Sequence, residues 1–316
     1  MKHIRQVVFM GFVLLMIAAC MGLAAPTPGP TPNLPATLPP GSVPSPTVTA
    51  TSLPAATLTP TAAPIITDPQ VIVLADHLSD PDDLFLAPDG SIYLSNVGDG
   101  TVRRYTDNGG LQLVLSGLDE PEGMVILPDG SLVIAEQGKN RLVRYDPGIQ
   151  TLSPFLDLTN TTGQDGVDGL AWDARSQTII IPDSPNGTIL RLSSDGKSVT
   201  QVASGFARPT GAWVEPDGSI LVTDENGNSL HRIHPDGSIE KLAALSIPDD
   251  VIEDISGNIL VVTLGDNAIH LISRDTGRDS ILAVRPVDPQ GIIFAADGNL
   301  VVTDPGNHRL IKLVIH

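Results

Sequence analysis

The sequence predicts an all-β fold over residues 68–316, a six-bladed β-propeller with four antiparallel strands per blade, closed by an N-terminal strand. Three observations carry this prediction: a short register segment recurs six times, a tight turn follows five of the copies at one distance, and each period holds several short apolar strands. The segments are Pro81-Asp82-Asp83, Pro121-Glu122-Gly123, Val167-Asp168-Gly169, Pro209-Thr210-Gly211, Pro248-Asp249-Asp250 and Pro289-Gln290-Gly291, with middle residues 39 to 46 positions apart.

Each segment opens an apolar strand. The turns that end these strands are Asp89-Gly90, Asp129-Gly130, Asp217-Gly218, Ser256-Gly257 and Asp297-Gly298, and the third repeat has Arg175-Ser176 instead. Asp-Gly between alternating runs is a hairpin signal, because glycine accepts the positive φ such turns require. A second strand such as Ser91-Ile92-Tyr93-Leu94 and a third such as Thr101-Val102-Arg103-Arg104-Tyr105 follow in every repeat. The first five repeats add a fourth, for example Leu111 to Leu115, but the sixth ends after three. Gln70 to Ala75, reading Gln-Val-Ile-Val-Leu-Ala, is expected to supply the missing strand and remove an open sheet edge.

Upstream of the repeats the chain is of another kind. Lys2 and Arg5 precede the apolar run Val7 to Ala19, and small residues stand directly before Cys20, the only cysteine. This stretch resembles the lipobox of bacterial lipoproteins, which implies a signal peptide over 1–19 and acylation of Cys20 after cleavage. An uncleaved membrane helix and ordinary secretory cleavage near Ala24-Ala25 are the alternatives, and all three export the domain. From Pro26 to Thr67 no residue is charged and Pro, Thr, Ala and Ser dominate, so residues 20–67 read as an extended tether. The expected location is the extracytoplasmic face of a bacterial cell membrane, with membrane contact through the lipid anchor only.

Composition narrows the function. There are 36 acidic against 18 basic residues, a net charge of −18, and such a surface repels phosphate backbones and excludes nucleic acid as a partner. With Cys20 outside the repeats, neither a disulfide framework nor a cysteine metal site is available to the folded part.

The repeat places two sets of residues on one end of the propeller. The inner set is Asp82, Glu122, Asp168, Thr210, Asp249 and Gln290, around the mouth of the central channel. The outer set, at the ends of the second strands, is Asn96, Glu136, Asp183, Asp224, Thr263 and Asp304. Eight of these twelve are carboxylates and none is basic, where a share of 36 in 316 predicts between one and two. Outer-set acids have an ordinary use, accepting backbone N–H bonds to cap loops. Convergent inner-set acids repel one another unless a cation neutralises them, and all-oxygen ligands suit a hard ion, calcium before magnesium. Asp82, Glu122, Asp168 and Asp249 are therefore the candidate metal ligands. Asn96, Glu136, Thr210 and Gln290 are candidate contacts for a small polar ligand or a protein loop seated at the mouth. The histidines His231, His234, His270 and His308 fall on or beside strands and turns away from it.

Two stretches carry a family resemblance. Pro289 to Leu310 resembles an NHL repeat, and Asp168-Gly-Leu-Ala-Trp-Asp-Ala-Arg-Ser-Gln-Thr-Ile-Ile-Ile-Pro-Asp183 resembles a blade of the gluconolactonase and senescence-marker-protein (regucalcin) family. The resemblance implies a divalent cation held by acidic and amide side chains from separate blades, polarising a lactone carbonyl while a carboxylate activates water. Glu122 and Asp168 are similar to the family's Glu and Asn positions, and Asp249 or Asp82 is the candidate base. Asp168 stands where that family usually has Asn, and Thr210 where it has Asp. Two functions remain open: a ligand-binding module and a metal-dependent lactone or ester hydrolase.

Overall fold

The computed structural model describes residues 69–160, 162–284 and 286–315. The expected signal peptide, Cys20 and the tether lie outside them. Among the described residues no helix is long and apolar enough to cross a membrane.

Six four-stranded antiparallel sheets follow one another along the chain. The first blade is Pro81–Leu86, Ile92–Asn96, Thr101–Thr106 and Gly110–Ser116, and the next four repeat that order. The sixth consists of Ile292–Phe294, Leu300–Asp304 and Arg309–Val314, with Gln70–Ala75 as its outermost strand. Gln70 pairs opposite Val314 and Val73 opposite Ile311. The two ends of the domain are thus tied together by main-chain hydrogen bonds.

Turn chemistry explains the hairpins. Asp89, Asp129, Asp217 and Asp297 each accept a hydrogen bond from the backbone N–H two residues on, at 2.8 to 3.1 Å. The glycines that follow sit at φ between 81° and 95°. In the third blade Asp173 takes over, accepting from Arg175 N–H and Ser176 N–H, and the left-handed residue is Gln177.

Strand pleating sends alternate side chains to opposite faces, and the blades stack face to face through Val, Ile and Leu. Ile180 and Ile189 of the third blade pack against Ala212, Ile220 and Val222 of the fourth, all nearly inaccessible. Ile252, Leu260 and Val262 of the fifth pack likewise against Ile292, Leu300 and Val302 of the sixth. The inner strands meet closely around the axis. A Cβ on Gly123 would lie 2.5 Å from Leu170 N, and one on Gly211 would lie 2.5 Å from Asp249 O, so only glycine admits this approach. Gly123 N–H donates to Asp168 O and Gly169 N–H to Thr210 O, both at 3.2 Å, stitching three blades together at the channel.

Candidate metal and ligand site

Because each inner strand begins at its register segment, the six middle residues enter the axis at one level. Asp82, Glu122 and Asp168, from three consecutive blades, bring one carboxylate oxygen each to within 4.8 Å of one another. Glu122 and Asp168 are buried. Asp249 and Gln290 line the same cavity, of about 320 Å³, without joining the three-oxygen group. Five of the six register residues therefore line one chamber, and Thr210 does not.

Thr210 is fully buried, with its hydroxyl engaged by Thr223 Oγ1 and by the carbonyls of Pro248 and Asp249. The side chain ties the fourth blade to the fifth, away from the chamber. Glu136 and Asn96 also lie away from it. Glu136 accepts from Asp119 N–H at 3.0 Å and Arg141 Nε at 2.5 Å, and Asn96 is fully buried with a carboxamide that has no hydrogen-bond partner among the described residues. Neither lines the chamber. The same use recurs in two other acids of the outer set. Asp224 accepts from Ala207, Arg208 and Gly227 N–H, and Asp304 from Val287 N–H, so second-strand acids serve backbone donors of the loops above them.

The chamber contains a cation that sequence reasoning missed. Arg208 Nη2 donates to Asp168 Oδ2 at 2.9 Å, and Nη1 pairs with Glu225. Both partners of the Arg208–Asp168 pair are only 12% exposed at the side chain. A signal existed: Arg208 stands directly before the register segment, where the first, second and sixth blades have Asp80, Glu120 and Asp288. A second acidic layer was also missed. Asp83 and Asp250 occupy the position after the register residue, which is glycine in the other four blades.

Burial and mutual repulsion set the charge of this cluster. Burial, then the charge of Asp168, raises Asp82, Glu122 and Asp249 well above the ordinary carboxylate range. Burial and the neighbouring Asp250 do the same for Asp83. Asp250 is pushed by burial to about 7, although Ile292 N–H and Val251 N–H donate to it at 3.0 and 2.7 Å. For Arg208, burial opposes the charge, but the carboxylates of Asp168, Asp249 and Glu122 outweigh it and raise the guanidinium further. These shifts describe a site short of positive charge.

The oxygen-only donor set, with three carboxylates from three rigid strands, fits a hard divalent cation. Arg208 already holds one oxygen of Asp168, so it competes for part of that set. The histidines lie elsewhere: His231 bonds Ser229, and His270 is held between Asp266 and Asp279.

No protein-family model matches this chain, and no curated protein matches it in sequence. Many solved structures are similar in fold. One is a calcium-binding regucalcin from Agrobacterium tumefaciens, with TM-score 0.67 and 17% identity over 79% of this chain and 95% of that one. Another is a gluconolactonase from Xanthomonas campestris, with TM-score 0.67 and 17% identity over 81% and 96%. A third is a virginiamycin B lyase from Staphylococcus aureus, with TM-score 0.58 and 17% identity over 74% and 80%. At these identities the likeness is one of fold.

Proposed function

We propose that this chain is an exported, membrane-tethered propeller that binds a divalent cation at the acidic end of its channel, and through it a small polar ligand or a protein loop. The observation that carries this reading is the convergence of Asp82, Glu122 and Asp168. Raised carboxyl pKa values mean that folding has placed acids where they are poorly compensated, and a cation that reclaims their charge binds with that stored unfavourable energy in its favour. The regucalcin and gluconolactonase likenesses favour a divalent ion. Calcium is preferred over magnesium, because three strand-borne carboxylates do not offer the near-ideal octahedron magnesium demands.

Hydrolysis of a lactone or related ester is the second reading, favoured by one observation: Asp249 lines the same chamber yet stands apart from the three converging oxygens. A bound ion would polarise the carbonyl. Asp249, with its raised pKa, would take the proton from an attacking water, since a base works best with a pKa near the working pH. Gln290, from the neighbouring blade, would help orient the ligand.

Calorimetric titration of the chelator-treated protein with calcium and with magnesium tests the first reading, and absence of binding up to millimolar concentration would sink it. A lactone-hydrolysis assay on the calcium-loaded protein, with Asp249→Asn as control, decides the second. Anchoring is tested by Cys20→Ala, which should abolish incorporation of labelled fatty acid.

A further inference from the structure

Below the acidic chamber the channel changes character. A second cavity of about 410 Å³ begins at the shared wall of Asp82, Asp168, Asp249 and Gln290 and continues toward the hairpin turns. That volume is in the range of small-molecule sites. The chain has two tryptophans, Trp172 and Trp213, and both line it, together with Phe85 and Phe294.

Strand register explains the clustering. Phe85 pairs opposite Tyr93 and Trp213 opposite Leu221, each three residues before the end of its second strand at Asn96 or Asp224, so two blades deliver an aromatic side chain at one height. Trp172, opposite Ile179, and Phe294, opposite Leu300, stand one residue further along, four residues before Asp183 and Asp304. All four are half-buried, so they have not closed into a core. At the inner end of this sleeve lie Asp83 and Asp250, and no basic side chain lines the cavity. Asp83 accepts Leu84 N–H, and Asp250 accepts Val251 and Ile292 N–H. These are main-chain donors, so neither bond supplies a full positive charge.

We propose that this sleeve binds an organic monocation with a hydrophobic body, such as an arylalkylamine or a quaternary ammonium compound. Its ammonium group lies against Asp83 and Asp250, and its hydrocarbon part lies among Phe85, Trp172, Trp213 and Phe294. Carboxyl groups at one end of an aromatic wall select for charge and for apolar surface together. An anion meets like charge, and a neutral analogue forfeits both the carboxylates and the cation–π attraction to the rings. A compact inorganic ion would gain nothing from the aromatic sleeve. The inference stands whether or not the outer chamber holds a metal.

Having both tryptophans in the cavity makes their emission a direct reporter. The full chain, in excess chelator, is titrated with benzyltrimethylammonium, benzyl alcohol and phenylacetate while tryptophan emission is followed. The expected result is a saturable change with the ammonium compound at roughly tenfold lower concentration than with the alcohol, and none with phenylacetate. Trp172→Phe and Trp213→Phe should each remove part of the signal, and D250N should reduce the advantage of the cation without altering alcohol binding. Equal binding of all three compounds, no change with any of them up to several millimolar, or an unchanged cation preference in D250N overturns the proposal. Should D250N fail to fold, the three-ligand comparison on the unaltered chain decides it.

Discussion

Arg208 is the residue whose removal tests the electrostatic account of the mouth most directly. Arg208→Met keeps much of the side-chain volume and deletes the one guanidinium that faces Asp168 at 2.9 Å and pairs with Glu225. Breaking a buried ion pair by removing one partner costs about 3–5 kcal/mol, because the other charge is left uncompensated. For a domain of this size each kcal/mol moves the melting temperature by about 2–4 °C, so the metal-free variant should melt roughly 6–20 °C lower. Asp82 and Asp249 also feel Arg208, and without it their carboxyl groups rise further, which lets protonation relieve part of the loss. The deficit should therefore be smaller at pH 5 than at pH 8. A divalent cation does the same neutralising work, and a hundredfold excess over its Kd adds about 2.7 kcal/mol by mass action. Differential scanning calorimetry with EDTA or with calcium reads both effects. Calcium should raise the melting temperature more in Arg208→Met than in the native chain, since the competitor for Asp168 is gone. A drop of less than about 2 °C without metal, or a calcium shift no larger than in the native chain, would refute the assignment of Arg208 as internal counter-ion.

Four further predictions follow from the same geometry. Glu122→Gln and Asp168→Asn should each weaken calcium-dependent stabilisation at least severalfold in a thermal-shift titration. Asp224→Asn should lower the melting temperature of the apo form, through its backbone N–H donors, and leave the calcium response intact. Asp250 has its folded-state pKa raised from 3.8 to about 7, so its contribution to stability is present below pH 4 and lost as pH rises to 7, by at most roughly 4 kcal/mol. Asp173, lowered from 3.8 to about 2 under burial by bonds from Ser176 and Arg191, acts oppositely and loses its contribution only below pH 4. Urea unfolding of the metal-free protein across pH 3–9 should therefore show greatest stability in mild acid. A flat profile between pH 4 and 8 would contradict the raised carboxyls. Finally, deleting residues 1–77 removes the strand paired with Arg309–Val314 and should lower the melting temperature far more than deleting 1–67, as circular dichroism melts would show.

The repeat was legible in the sequence because it is local chemistry written six times. Asp-Gly turns, alternating Val, Ile and Leu, and prolines that open inner strands each act within a few residues. Their period alone yields the blade count and the level shared by Asp82, Glu122 and Asp168. A closed ring of equivalent strands leaves no freedom over where that position goes. The purpose of a side chain at that level was a different matter. Thr210 occupies the same register as Asp168 yet is buried against Thr223, Asn96 is buried as well, and Glu136 turns into the fold to accept a loop N–H. Arg208 reaches Asp168 across 40 residues of sequence and one blade boundary. Trp172 and Trp213 line one cavity only because ring closure gathers the inner strands of different blades around one axis. Sequence determined which residues approach the axis, through periodicity and local turn preference. Tertiary structure decided which of them stay accessible there, because burial, competing hydrogen-bond donors and the reach of long side chains depend on neighbours that no single repeat contains.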